Sequence, residues 1–207
     1  APKGVTPSWQ LQEEARNLAA RFDREISDGY ERQAVIPTAA WLLERAQLPD
    51  DANALLQANL TKSHSPYYLM SALSGNAKRR GDKNEALRWS QRAFETSQGS
   101  ATRLQWGASL VGTLIELTPH DEARIEKTVA TLFDEASGQP GVFYERGARS
   151  LQRVGSSLQG WAKSPTRAAV VKRLQVHLDN LCNSLPADDA PQKNTCRGLF
   201  NAKPTAA

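Results

Sequence analysis

Residues 73–94 read LSGNAKRRGDKNEALRWSQRAF, and the local chemistry of this stretch decides the fold class. Gly81-Asp82 breaks the run in two. Asp82 can accept from the unpaired amides at a helix start, and Glu85 stands three residues on, where a capping box places its second acid. The spacing predicts a helix over 66–80, a tight turn, and a second helix over 83–97.

Outward from this hairpin the same punctuation recurs. Ser or Thr precedes Pro at Thr6-Pro7, Ser65-Pro66, Thr118-Pro119 and Ser164-Pro165. A hydroxyl can cap orphan amides, and proline at the next position gives up an N–H that had no partner there. Leu48-Pro49-Asp50-Asp51 marks another start, with acids at the positive end of the helix dipole. These signals predict helices over 8–28, 31–47, 50–62, 66–80, 83–97, 101–117, 119–136, 141–159, 165–184 and 192–200. Pro37 is expected to follow a short turn and open a fresh helix, because a proline inside a helix removes a hydrogen bond. Apolar residues recur at helical spacing in Trp41, Leu42, Ala46 and Leu48, and again in Leu104, Ala108, Val111 and Ile115. Composition agrees: 29 Ala and 23 Leu stand against 13 Val plus Ile, and β-branched residues are what strands favour. The fold class is all-α.

The chain has 207 residues and a mean hydropathy of -0.54. No run approaches the roughly 18 apolar residues of a membrane span. Met70 is the only methionine, so Ala1 is read as the front of a processed product or of a piece cut from a longer chain. Cys182 and Cys196 read as a structural disulfide, which implies an oxidising compartment; two unpaired thiols in a helix pair are the alternative. Net charge is +4, and between Ala136 and Leu178 seven cations (Arg146, Arg149, Arg153, Lys163, Arg167, Lys172, Arg173) face one anion, Glu145. That segment reads either as a solvated basic face or, over 146–173, as a polyanion or nucleic-acid contact.

Taken in pairs, the predicted helices start near 31, 66, 101 and 141, a period of about 35 residues that suits stacked αα-hairpins. One helical-repeat domain over 1–200 is expected, with a frayed tail at 201–207. Residues 73–94 resemble a tetratricopeptide repeat. Leu73 and Ser74 match the first helix, Gly81-Asp82 the turn, and Ala86 and Ala93 the small positions of the second helix. Ala77 and Ser90 depart from the usual aromatics, and no proline closes the unit after Gly99. A generic α-solenoid or helical bundle stays open beside that resemblance. SHSPYYLMSALSGNAKRRGD (63–82), ATRLQWGASLVGTLIEL (101–117) and LCNSLPADDAPQKNTCRGLF (181–200) are similar to the helical C-terminal region of secreted bacterial thioredoxin-family proteins. That resemblance covers most of the chain from about residue 30. It implies an accessory helical region, a periplasmic or secreted setting, and the cysteine pair. No CxxC is present, so it carries no redox residue into this sequence.

Chemistry-bearing motifs are sparse. His64, His120 and His177 lack ligand spacing, and no HExxH, GxSxG, Walker loop or GxGxxG occurs. Glu13-Glu14 and Asp188-Asp189 read as solvated charge. No cofactor and no metal is called for. Asn59-Leu60-Thr61 matches the short glycosylation acceptor pattern. Gly141, Gly147, Gly155 and Gly160 fall in or beside one helix, where each interior glycine costs about 1 kcal/mol, and close packing of a neighbouring helix is the expected reason. Under the repeat alignment, Tyr68, Ser71, Lys78 and Arg79, then Arg103, Trp106 and Leu110, would line a groove for a protein or peptide with carboxylate groups. The sequence thus favours a non-catalytic binding module. A polyanion binder and an all-α enzyme with an unrecognised site are the alternatives.

Overall fold

The computed structural model describes residues 6–200; the expected tail at 201–207 lies outside the described residues. Among the described residues there are ten helices and no strand. They are α1 (Trp9–Glu25), α2 (Gly29–Arg45), α3 (Pro49–Ala58), α4 (Tyr67–Arg79), α5 (Lys83–Thr96), α6 (Ser100–Leu117), α7 (Glu122–Ala136), α8 (Glu145–Trp161), α9 (Pro165–Ser184) and α10 (Ala190–Arg197). None is long and apolar enough to cross a membrane. The chain divides into two compact units, residues 1–97 and 98–207.

Helix starts follow capping chemistry, with revisions. Ser164 accepts from the Arg167 amide with Pro165 in the first turn, as its sequence implied. Asp82 accepts from the Glu85 amide at 2.9 Å, but the Glu85 carboxylate does not reach back; it takes Arg80, Arg88 and Trp89 instead. At 118–119 the capping residue is Asp121, three residues past Thr118, because the Thr118 hydroxyl donates to the Leu114 carbonyl and is no longer free to cap. Ser8, not Thr6, caps α1.

Pro37 corrects the expectation of a break: α2 runs unbroken through it. An interior proline costs about 3 kcal/mol. Ile36 before it and Leu43 after it are fully buried on one face, and each such burial returns about 1.5–3 kcal/mol. A break at Pro37 would turn one of the two out of the core.

In the first unit, α2 and α4 run parallel. The Gly29 carbonyl accepts from the His64 amide at their starts, and Asn76 donates to Glu44 and to the Pro49 carbonyl at their ends. α5 returns antiparallel to α4, with the Ser74 hydroxyl on the Ala86 carbonyl at 2.8 Å. Gly81 turns that corner at φ +79°, a region L side chains avoid. α1 lies along α2 and α3, tied by a cluster in which Asp23 accepts from Arg32 and from Asn59.

The second unit also contains parallel and antiparallel helix pairs. α6 and α8 run parallel: Arg146 meets Gln105 near their starts, and the Trp161 indole N–H donates to the Pro119 carbonyl past their ends. α7 and α9 are parallel as well, through Thr166 on Glu122 and Arg173 on Glu126. Arg103 near the start of α6 grips Glu135 at the end of α7, so these two are antiparallel. Cys182 of α9 and Cys196 of α10 are buried and lie at disulfide distance, their Cα atoms 5.7 Å apart.

Two of the four glycines near α8 do mark close approach, although what approaches is not a helix. A Cβ on Gly147 would overlap the Val142 carbonyl oxygen in the preceding turn, and one on Gly155 would overlap the Leu199 carbonyl oxygen after α10. Around Gly160 there is open space within 4 Å. Gly155→Ala is therefore expected to destabilise by about 1–3 kcal/mol through overpacking against backbone. Gly160→Ala gains up to about 1 kcal/mol in helix propensity. Urea unfolding of the two variants checks this, and a shift of the same sign for both would contradict it.

Candidate arginine cleft on the α6–α8 face

The seven residues expected to line a groove fall four on the first unit and three on the second. On α4, Tyr68, Ser71 and Lys78 are half-buried, while Arg79 is exposed and donates to the Glu44 carboxylate of α2. On α6, Arg103 is held in a two-point fork by Glu135, at 3.0 and 2.6 Å. Trp106 and Leu110 are core residues, 6% and 1% exposed, and present no surface to a guest. α6 is buried over most of its circumference, by Leu104, Val111 and Leu114 as well as by these two. An apolar residue on the first helix of a hairpin fits core and groove equally well by sequence spacing alone, and here packing takes it.

A different set of side chains converges on the second unit. Arg146, Arg149 and Arg153 stand at i, i+3 and i+7 on α8, which is one helix face. With Gln105 of α6, Ser150 and Gln152 they line an open cleft of about 520 Å³. Arg146 is half-buried, and its Nε donates to Gln105 Oε1 at 2.9 Å while Nη2 donates to the same oxygen. Arg149 and Arg153 are exposed, and none of the three arginines forms an ion pair with a described residue. Ser150, 2% exposed, sits beneath them. Arg146 lies in the first turn of α8, where the helix dipole adds further positive potential, and Arg149 and Arg153 follow toward the middle of the helix.

The basic segment 146–173 is therefore not one surface. On α9, Arg173 makes a two-point pair with Glu126 at 2.7 and 2.6 Å, and Arg167 lies 3.8 Å from Glu122. The Arg173 guanidinium beside Glu126 holds that carboxyl below the usual range. The α9 arginines are compensated, whereas the α8 row, Lys163 and Lys172 have no acid partner among the described residues, and of these only the α8 row lines the cleft. Gln105, which fixes Arg146, had no sequence signal, since nothing in its neighbours ties it to a residue 41 positions away.

A second concavity, of about 400 Å³, lies in the first unit between α1 and α2. Leu11, Leu18 and Leu42 line it, with Glu14 and Arg45 among them. It lacks the convergent polar groups that orient a ligand.

The other flagged residues have local structural roles. His64 stacks on Tyr30 at 3.8 Å, His120 accepts from Arg167, and His177 reaches Asp134 at 2.9 Å against the edge of Phe133. Among the described residues no three His, Cys, Asp or Glu side chains converge as a metal site. Asp189 caps α10 and accepts from the Tyr144 hydroxyl, which lowers its carboxyl and raises the phenol. Glu13 pairs with Arg16. Asn59 is fully buried and engaged by Asp23, Arg32 and the Leu55 carbonyl, so the glycosylation pattern is closed by packing. Set against known proteins, the chain matches no family model, no characterised protein and no solved structure, so its function has to be read from these side chains.

Proposed function

We propose that this chain is a non-catalytic, tetratricopeptide-like helical-repeat module that holds an extended protein or peptide segment on the α6–α8 face. Antiparallel hairpins whose first helices run parallel within each unit support a repeat reading, because such stacking leaves the first helices side by side with a shared open face. The observation that carries the function is the cleft on that face: three arginines without a carboxylate partner among the described residues. Guanidinium groups held beside one another serve recognition of planar anions, and their mutual repulsion is relieved when a ligand arrives. The cysteine pair supports an oxidising, extracytoplasmic setting, and with it an accessory role beside a thioredoxin-type partner domain.

Selection of a random-peptide library on the immobilised full chain, followed by hydrogen-exchange footprinting, tests the reading. The expected result is protection of backbone amides on α6 and the first half of α8. Enriched peptides that protect only other helices would overturn it. Nucleic-acid binding is the runner-up. With Arg167 and Arg173 engaged by acids, the segment's cations without an acid partner among the described residues are the three α8 arginines and, outside the cleft lining, Lys163 and Lys172. That is few for a phosphate backbone, and affinity for duplex should stay weak even at low salt.

A further inference from the structure

The spacing of the α8 row specifies more than a negative ligand. Resting on the peptide-binding reading above, we infer that Arg149 and Arg153 read two carboxylates separated by one residue in an extended segment, an acid-any-acid pattern, with Arg146 as a fixed third charge. Four helical residues advance about 6 Å along the axis. Two residues of extended chain advance about 6.6 Å, and side chains at i and i+2 share one face. The two repeats match in length. A single phosphoryl group would have to draw the Arg149 and Arg153 side chains together from positions about 6 Å apart along the axis, whereas two spaced carboxylates meet each where it stands.

Gln105 sharpens the selection. Its Oε1 is occupied by two N–H groups of Arg146, so the amide is oriented and only its NH₂ remains to face a ligand. The charged groups of the cleft wall are all cationic donors, Arg146, Arg149 and Arg153, and the Gln105 amide adds a further N–H; Ser150 and Gln152 are neutral. Carboxylates, which bring only acceptors and negative charge, match that wall best.

The test is fluorescence anisotropy on the full chain with labelled peptides in a neutral Gly/Ser/Thr host, carrying Glu-Thr-Glu, Glu-Glu-Thr or Gln-Thr-Gln. Glu-Thr-Glu is expected to bind about tenfold more tightly than the adjacent isomer, and Gln-Thr-Gln about 100-fold more weakly. R149Q/R153Q is expected to remove that preference; both side chains are exposed, and circular dichroism checks that helicity is retained. Equal affinity for the two Glu isomers, or equal displacement by inorganic phosphate and by free Glu-Thr-Glu, would overturn the spacing rule. Tight binding of Gln-Thr-Gln that still protects α6 and α8 overturns the acid rule and leaves the peptide module standing. Binding of all three peptides away from this face overturns both.

Discussion

Asp23→Ala is expected to lower the stability of the chain by about 2–3 kcal/mol, below the ~3–5 kcal/mol of a fully buried pair because the Asp23 carboxylate keeps some contact with water. Its partner does not: the Arg32 side chain is 8% exposed. The carboxylate accepts from Arg32 at 2.7 Å and from Asn59 at 2.9 Å, with Lys62 at 3.5 Å. Arg32 in turn donates to the Asn59 side chain and to the Asp23 carbonyl. Removing the carboxylate leaves a guanidinium in the core of the first unit with neutral acceptors only. Urea unfolding of the variant measures the loss, and a change within 0.5 kcal/mol, as roughly expected of a surface site, would show that the cluster does not hold α1 to α2 and α3.

The same residue sets a pH dependence. Burial pushes the Asp23 carboxyl up, but hydrogen bonds from Arg32 and Asn59 and the charges of Lys62 and Arg32 outweigh it, and the group ends below the ordinary carboxylate range. A carboxyl that binds its proton more weakly when folded stabilises fully above its unfolded pKa of about 3.9 and loses that contribution as the pH falls through the lower folded value. Glu126, depressed chiefly by its hydrogen bond from Arg173, acts with the same sign in the second unit. The wild-type chain should therefore lose stability steeply below about pH 4. The gap between wild type and Asp23→Ala should narrow over that range, and a gap that stays constant to acid would contradict the assignment.

Cys182→Ser/Cys196→Ser is expected to cost about 3 kcal/mol, the chain-entropy value for a loop of this length. Both cysteines are fully buried, and the bridge ties the short α10 to α9. Beyond the bridge, the Gln192 side chain accepts from the Phe143 amide and donates to Asp189, and Leu199 packs its carbonyl against Gly155. Loss of the crosslink should therefore raise hydrogen exchange first in α10 and then in the turn before α8 and around Gly155. Thermal unfolding with and without reductant, read alongside exchange, checks both the magnitude and the place. A loss confined to residues before Gln98 would be incompatible with this packing.

Helix existence was legible from residue chemistry because caps act over three residues. Ser164, Asp82 and the acids after Pro49 place their helices within a residue or two, whatever surrounds them. Helix ends were less legible. α3 stops at Ala58, four residues before its periodicity runs out, because Asn59 turns its amide into the Asp23–Arg32 cluster instead of continuing the helix. Thr118 lost its capping role to a carbonyl within its own helix. The candidate site was half legible. Arg146, Arg149 and Arg153 share a face by arithmetic alone, and the charge asymmetry of their segment was plain.

What sequence determined, then, is all-helical structure, the basic bias of residues 136–178 and the partnership of the two cysteines. What only the tertiary structure decided is which charges remain available. Glu126 and Glu122 lie more than 40 residues from the arginines they meet, and Glu135 and Glu44 likewise come from separate helices to occupy Arg103 and Arg79. Charge compensation acts through space over a few ångströms, not along the chain. A row of arginines therefore stays without an acid partner only where packing brings none against it, and among the described residues Arg146, Arg149 and Arg153 of α8 are such a row.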